Sequence, residues 1–397
     1  MASVCFYFQV HQPYRLKEYS FFHIGRDYIY ENHALNVQVL NKVADKCYIK
    51  ANEVLLAQIK AHKGKFKVAF SISGLALEQF EQYRPDVIAS FQALAQTGCV
   101  EFLGETYYHS LSALYSAEEF QRQVDLHKAK IKTLFNLEPT IFRNTELIYN
   151  DNLARYIQKK GYMGILCEGA ERLIANNPAN KVYSAEAQTN IAVLARNYTL
   201  SDDMSFRFSD KNWKEWPLTA KKFSNWLHEI AQEKDDVLNL FMDYETFGEH
   251  QWETTGIFDF LDQLPSEVLA NKTLSFKTPS EIIKANKANY SINAPETISW
   301  ADAERDMSAW QGNAMQHECL EKIYALEDKV MATQNADLIH TWSKLQTSDH
   351  FYYMSTKHAS DGAVHSYFSP FNTPHDAYLY YMNIIADFEI RVDRAML

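Results

Sequence analysis

Hydrophobic residues fall along this chain in two alternating rhythms. Short, nearly unbroken apolar runs read as strands: "SVCFYFQV" (3–10), "FKVAFSIS" (66–73), "CVEFLG" (99–104) and "TIFRN" (140–144). So do "MGILCEG" (163–169), "NIAVLAR" (190–196), "VLNLFMD" (237–243) and "TLSFK" (273–277). Several of these runs lack polar alternation, which predicts parallel strands covered on both faces. Between them the spacing becomes helical. Within 41–60, Val43, Cys47, Ala51, Leu55 and Ile59 recur every four residues and mark one face. Within 116–135, Ser116 and Glu119 stand at capping-box spacing ahead of an apolar stripe of Phe120, Val124, Ile131 and Leu134. The stretch 150–161 opens on polar residues and stops at Gly161. This alternation predicts an α/β fold built as a parallel β/α barrel of seven or eight strands. After about residue 295 the strand-like runs cease, and 300–310, 315–334, 335–345 and 374–392 carry helical patterns. They predict a C-terminal helical bundle. No Gly/Ser linker, low-complexity tract or short repeat intervenes. The expected organisation is therefore one compact unit, with residues 1–290 as barrel and 291–397 as a bundle completing its cleft.

Composition narrows the field. A chain of 397 residues, 47% hydrophobic, supports a large core. Its net charge of -11 opposes a nucleic-acid partner, since phosphate binding needs a basic face. No apolar run approaches bilayer-spanning length. The opening "MASVCFYFQVHQPY" reads as a first strand, not a signal peptide. The five cysteines (Cys5, Cys47, Cys99, Cys167 and Cys319) are odd in number, scattered and never spaced C-x-x-C, which points to the cytoplasm and away from a disulfide framework. Fourteen histidines include no H-x-x-H or H-x-x-x-H pair, and phosphate-cradling glycine motifs are absent, so neither a metal nor a cofactor is expected.

In parallel β/α folds the chemistry collects at the C-terminal strand ends. Four runs end in polar clusters: "HQP" (11–13), "GETYYHS" (104–110), "RNTE" (143–146) and "DYETFGEH" (243–250). Two carboxylates from different strands facing one cleft suffice to cleave a glycosidic bond, and Glu146 and Asp243 form such a pair. Glu146 would attack the anomeric carbon. Asp243 would donate the proton, its pKa raised by partial burial and by the charge of nearby Glu245. The bland alternative makes Glu146 the cap of the helix that follows. On residues alone the two readings stand level. His11 is either satisfied by backbone at a strand end or bonded to substrate, and Tyr107, Tyr108 and His109 are either core or cleft wall. In "ISWADAERDMSAWQGN" (298–313), Trp300 and Trp310 either fill the bundle interface or, with nearby carboxylates, offer a surface for sugar rings.

At these residues the chain resembles glycoside hydrolase family 57, in its α-amylase-like branch. "HQP" is similar to that family's first motif and "GETYYH" (104–109) to its second. "FRNTEL" (142–147) is similar to the nucleophile motif, "MDYETFG" (242–248) to the acid/base motif, and "SDHFYYMSTK" (348–357) to the fifth. The resemblance implies a distorted (β/α)7 barrel with a C-terminal helical bundle. It implies a retaining hydrolase of α-glucans that needs no metal, with Glu146 as nucleophile and Asp243 as acid/base. The substrate side chains would be His11, Glu105, Tyr107, His109, Arg143, Glu245, Trp310, Asp349 and His350. The same chemistry would serve a 4-α-glucanotransferase or branching enzyme. A non-catalytic glucan-binding homologue and a zinc-dependent mannosidase or deacetylase are the further alternatives.

Overall fold

A computed structural model describes residues 2–174, 177–185, 189–231, 237–357 and 369–397. Its strands are β1 (Ala2–Val10), β2 (Val68–Ile72), β3 (Val100–Phe102), β4 (Ile141–Arg143), β5 (Gly164–Cys167), β6 (Val182–Ala185), β7 (Ala192–Ala195), β8 (Val237–Asp243), β9 (Leu274–Phe276) and β10 (Tyr290–Ile292). Every residue of β1 is buried, as its unbroken apolar run requires. β1 lies between β8 on one side and β2 and β9 on the other, in the order β3–β2–β1–β8 with β9 against residues 2–4. All ladders of this sheet are parallel. The second sheet runs β10–β6–β7–β5–β4 and is parallel except between β6 and β7. Those two are joined by residues 186–191, too short for a crossover, so they pair as an antiparallel hairpin. Neither β6 nor β10 was marked by the apolar pattern.

The ladders form two five-stranded sheets, not one closed ring. Hydrogen bonds join the two. Gly104 N donates to Ile141 O at 2.9 Å, and Arg143 N donates to Gly104 O at 2.8 Å. Beyond β7, Asn197 N donates to Asn239 O of β8 at 2.8 Å.

The four-residue repeat at 43–59 is buried at every position. An α-helix advances only 3.6 residues per turn, so such a repeat drifts about 40° at each step. Part of the drift is absorbed by a π turn at Ala44–Tyr48, between the α-helices His33–Val43 and Ile49–Ala61. Ser116 caps its helix as expected, accepting from Glu119 N at 3.1 Å. The reciprocal half of the box is missing, because the Glu119 carboxylate instead receives Arg122, Gln123 and Gln346.

The stretch 300–310 is helical only from Ser308. Asp302 and Arg305 have left-handed backbone (φ 55° and 49°), which a continuous helix cannot hold. Among the described residues the remaining C-terminal helices are Ala314–Ala325, Glu327–Ala332, Ala336–Leu345, Ser348–Tyr352 and Pro374–Met396. Their core is anchored by Trp310, Trp342, Phe351, Tyr381 and Phe388. They join the sheet end through Ser348 N, which donates to His109 O at 2.9 Å, and through a bridge between Ser110 and Thr347. Among the described residues no helix is long and apolar enough to cross a membrane.

Gly248 ends the loop after β8 with φ +113°, and a methyl group there would meet the Lys46 carbonyl oxygen at 2.0 Å. Gly248→Ala is expected to lower unfolding stability by about 2–4 kcal/mol. Urea unfolding monitored by tryptophan fluorescence checks it, and an unchanged midpoint would show that the loop relaxes freely.

Candidate active site

Parallel pairing places the C-terminal ends of the first sheet along one edge, where Gln9 of β1 stands opposite both Ser71 of β2 and Asp243 of β8. His11 follows β1, Glu105 follows β3, Arg143 ends β4 and Asp243 ends β8. A cavity of about 970 Å³ opens over this edge, and its wall includes His11, His109, Glu146, Asp243, Glu245 and Asp349.

Glu146 lies in a 3-10 turn with left-handed backbone, φ 57° and ψ 28°. It does not cap the next helix. That role belongs to Asn150, whose side chain accepts from Leu153 N at 2.9 Å. The Glu146 carboxylate is held instead by two donors, His109 Nε2 at 3.1 Å and Trp300 Nε1 at 2.7 Å. Burial opposes its charge, but His109, Arg143 and the Trp300 hydrogen bond outweigh it and hold the carboxyl below its ordinary value.

His109 has its other nitrogen, Nδ1, 3.3 Å from Glu105 Oε2. Burial would strip its proton, yet the two flanking carboxylates push its pKa up to about 9. It is therefore an imidazolium that donates from both nitrogens. His11 stacks on it with ring centroids 3.9 Å apart. Burial and the His109 charge lower the pKa of His11, so this ring is neutral. Its Nε2–H donates to Asp349 Oδ2 at 3.0 Å, and its Nδ1 accepts from the Ser73 hydroxyl at 2.7 Å. Side chains, not backbone, satisfy His11. Asp349 is held well below the carboxylate range; the hydrogen bond from His11 and the charge of His109 outweigh its burial.

Asp243, on the same cavity, has the opposite bias. Burial first, and then the charge of Glu146, raise Asp243 to about 6. The charge that raises Asp243 is that of Glu146 and not, as expected, that of Glu245. Glu245 is itself raised to about 8, by burial and by Asp243, and it accepts a hydrogen bond from Tyr48 of the π turn.

Four residues expected to touch substrate stand outside the cavity wall. Glu105 is fully buried behind His109, where it also meets Gln9 and His127. Arg143 is fully buried, with its guanidinium 5.0 Å from the Trp300 ring centroid. Tyr107 packs over Gly74 and donates to Glu78 at 2.8 Å. His350 lies in the helical core near Tyr381, and burial lowers its pKa to about 4. Trp310 borders the cavity, but at 2% exposure its surface is taken up by protein, including Tyr352. The half-buried tryptophan on the wall is Trp300. Also on the wall are Arg196 and Asp202, joined at 2.5 Å. Arg196 follows β7 as His11 follows β1, so the same strand-end signal would have found it. Among the described residues no group of three or more His, Cys, Asp or Glu side chains is disposed to hold a metal ion.

The sequence model of glycosyl hydrolase family 57 matches residues 5–295. The chain belongs to that family. A Methanocaldococcus jannaschii protein named "Putative alpha-amylase" is 42% identical over 400 residues, covering 97% of this chain and 84% of that one. Among solved structures, the family 57 branching enzyme of Pyrococcus horikoshii superposes with TM-score 0.72 at 16% identity, over 96% of this chain and 88% of that one. The 4-α-glucanotransferase of Thermococcus litoralis gives 0.63 at 17% identity over 88% of this chain, which spans 56% of the length of that one. The α/β fold is thus that of family 57 structures, and the chain is a glycoside hydrolase by family.

For such a family member the arrangement offers one carboxyl held below its ordinary pKa and one raised to about 6 on a single cavity. If the Glu146 charge sustains the proton on Asp243, Glu146→Gln will lower the Asp243 titration midpoint from about 6 toward the ordinary aspartate value. Carbon-13 NMR of labelled aspartate carboxyls reads this directly, and an unmoved midpoint would leave burial as the whole cause.

Proposed function

We propose that this family 57 member hydrolyses α-glucans with retention at the anomeric carbon, using Glu146 as nucleophile and Asp243 as acid/base. The observation that carries the reading is the split in charge state between two carboxyls on one cavity wall: Glu146 held ionised, Asp243 raised to about 6. In the first step Glu146 forms a bond to the anomeric carbon as the glycosidic oxygen leaves and takes the proton of Asp243. In the second, the Asp243 carboxylate removes a proton from water, the water oxygen bonds to the anomeric carbon, and Glu146 departs. The 42% identity to a relative named for α-amylase activity supports the choice of substrate. Asp349, His11 and Glu245, all on the wall, are suited to sugar hydroxyls, while the charges of His109 and Arg143 act on Glu146.

We read the two sheets as a distorted (β/α)7 barrel, supported by the bonds that join β3 to β4 and β7 to β8. Residues 1–290 then form the barrel, and 291–397 the helical part that completes the cleft. Five unpaired, buried cysteines fit a reducing cytoplasm.

Glu146→Gln and Asp243→Asn are each expected to lower turnover of maltoheptaose about 1,000-fold or more while binding persists. Wild-type activity should fall as pH rises through about 6, because Asp243 loses the proton it must donate, and should fall again in acid as Glu146 becomes protonated. Chromatography of the products supplies the decisive reading. Shorter maltooligosaccharides mean hydrolysis, products longer than seven glucoses mean transfer, and near-normal turnover in either variant removes the catalytic pair.

A further inference from the structure

The segment that follows β10 reaches Glu146 twice. Trp300 N donates to the Glu146 carbonyl oxygen at 3.2 Å, and the indole Nε1–H donates to Oε2 at 2.7 Å. Next to this pair, Tyr149 and Ile298 exchange backbone hydrogen bonds of 3.0 and 2.9 Å. Residues 298–300 therefore run antiparallel beside 146–149. Within that stretch Glu146 and Leu147 both have left-handed backbone, φ 57° and 51°. Successive left-handed residues without glycine are uphill, and they persist only where surrounding contacts fix them.

The indole ring is fixed as well. The guanidinium carbons of Arg143 and Arg196 lie 5.0 and 5.8 Å from the Trp300 ring centroid. Its N–H is a donor with no acceptor capacity, so it serves an oxygen lone pair. With His109 on Oε1 and Trp300 on Oε2, each oxygen of the Glu146 carboxylate holds a donor.

We infer that Trp300 is the positioning residue of Glu146, holding the left-handed turn through its backbone and the carboxylate's rotamer and charge through its indole N–H. The inference rests on the reading of Glu146 as nucleophile. It gives the chain beyond the sheets a part in the chemistry that none of the catalytic motifs carries. The other charged groups facing Glu146 are His109 from the β3 exit, Arg143 from β4 and Asp243 from β8. None of them is removed when Trp300 is substituted.

Trp300→Phe keeps an aromatic ring and the backbone bond but loses the N–H. With maltoheptaose, kcat is expected to fall on the order of 10- to 100-fold, the rate equivalent of one hydrogen bond to a charged group. KM should stay within about threefold, because the loss falls on the transition state and not on substrate binding. The acid limb of kcat/KM should move to higher pH, since a donor favouring the charged carboxylate is gone. A wild-type kcat and acid limb in Trp300→Phe would overturn the inference. So would a loss fully matched by a smaller folded fraction with the acid limb in place, which is what a packing role alone produces. Glu146→Gln is the control. If it is inactive while Trp300→Phe behaves as wild type, this inference alone fails; if it stays active, the nucleophile reading fails and the inference with it.

Discussion

The imidazolium of His109 lies between two carboxylates, 3.3 Å from Glu105 and 3.1 Å from Glu146, where its own side chain is 3% exposed and that of Glu105 is not exposed at all. Taking such charges out of water costs several kcal/mol apiece, and only close opposite partners offset it. Each member therefore requires the others. Without His109, Glu105 would be a buried carboxylate with Gln9 and His127 as partners, and Glu146 would keep the Trp300 donor but lose its nearest cation. The arrangement also explains the neutrality of His11, which stacks on an imidazolium and must leave its own second proton off. From His11 the order passes to Asp349, in the helix Ser348–Tyr352, so one buried cation ties together groups from four separate stretches of chain.

Those stretches meet because the backbone bends sharply at the points of contact. His109, Glu146 and Leu147 all have positive φ without being glycine. Conformations of this kind cluster where surrounding structure over-determines them, and here that structure can be named. His109 O receives Ser348 N, and the Glu146 carbonyl receives Trp300 N. The chain beyond β10 thus grips both bends through the backbone while Asp349 and Trp300 reach the same two residues, directly or through His11, with their side chains. The two halves of the chain are joined at the site and not merely near it.

How much of this could be read from residues alone follows from what a local pattern encodes. The eight apolar runs became strands because a strand covered on both faces is apolar at most of its positions. Glu146 and Asp243 were visible because parallel strands deliver their C-terminal ends to one edge. β6 and β10 were not visible, because "VYSA" and "YSI" interrupt their apolar residues with serine and pair at the margin of their sheet. Tyr107 and His350 were misplaced for a different reason. A polar residue beside a motif looks the same in sequence whether it faces a cavity or a neighbouring helix, and here Glu78 and Tyr381 are the neighbours. Trp300 and Trp310 stand ten positions apart in one polar stretch. Their exchange of roles, one on the wall and the other in the core, depends on left-handed turns at Asp302 and Arg305 that no periodicity announces.

The division of charge among Glu146, Asp243 and Glu245, three of the carboxyls that line the cavity, carries a thermodynamic consequence for the fold. Glu146 is held below its ordinary pKa, so its contribution to stability is present above that value and is lost as pH falls through the lowered one. Asp243 and Glu245 have the reverse sign. Between an ordinary carboxyl pKa and about 6 for Asp243, or about 8 for Glu245, the folded chain keeps a proton that the unfolded chain releases. Stability therefore declines as pH rises across those windows. Three carboxyls sharing one cavity cannot all ionise cheaply, and the partners decide the order. Glu146 has an imidazolium and an indole donor, whereas Glu245 has the neutral hydroxyl of Tyr48. A site that keeps an acid protonated near neutrality is for that reason a site that weakens the fold there, and the long aromatic core around β1 supplies the stability against which that loss is tolerated.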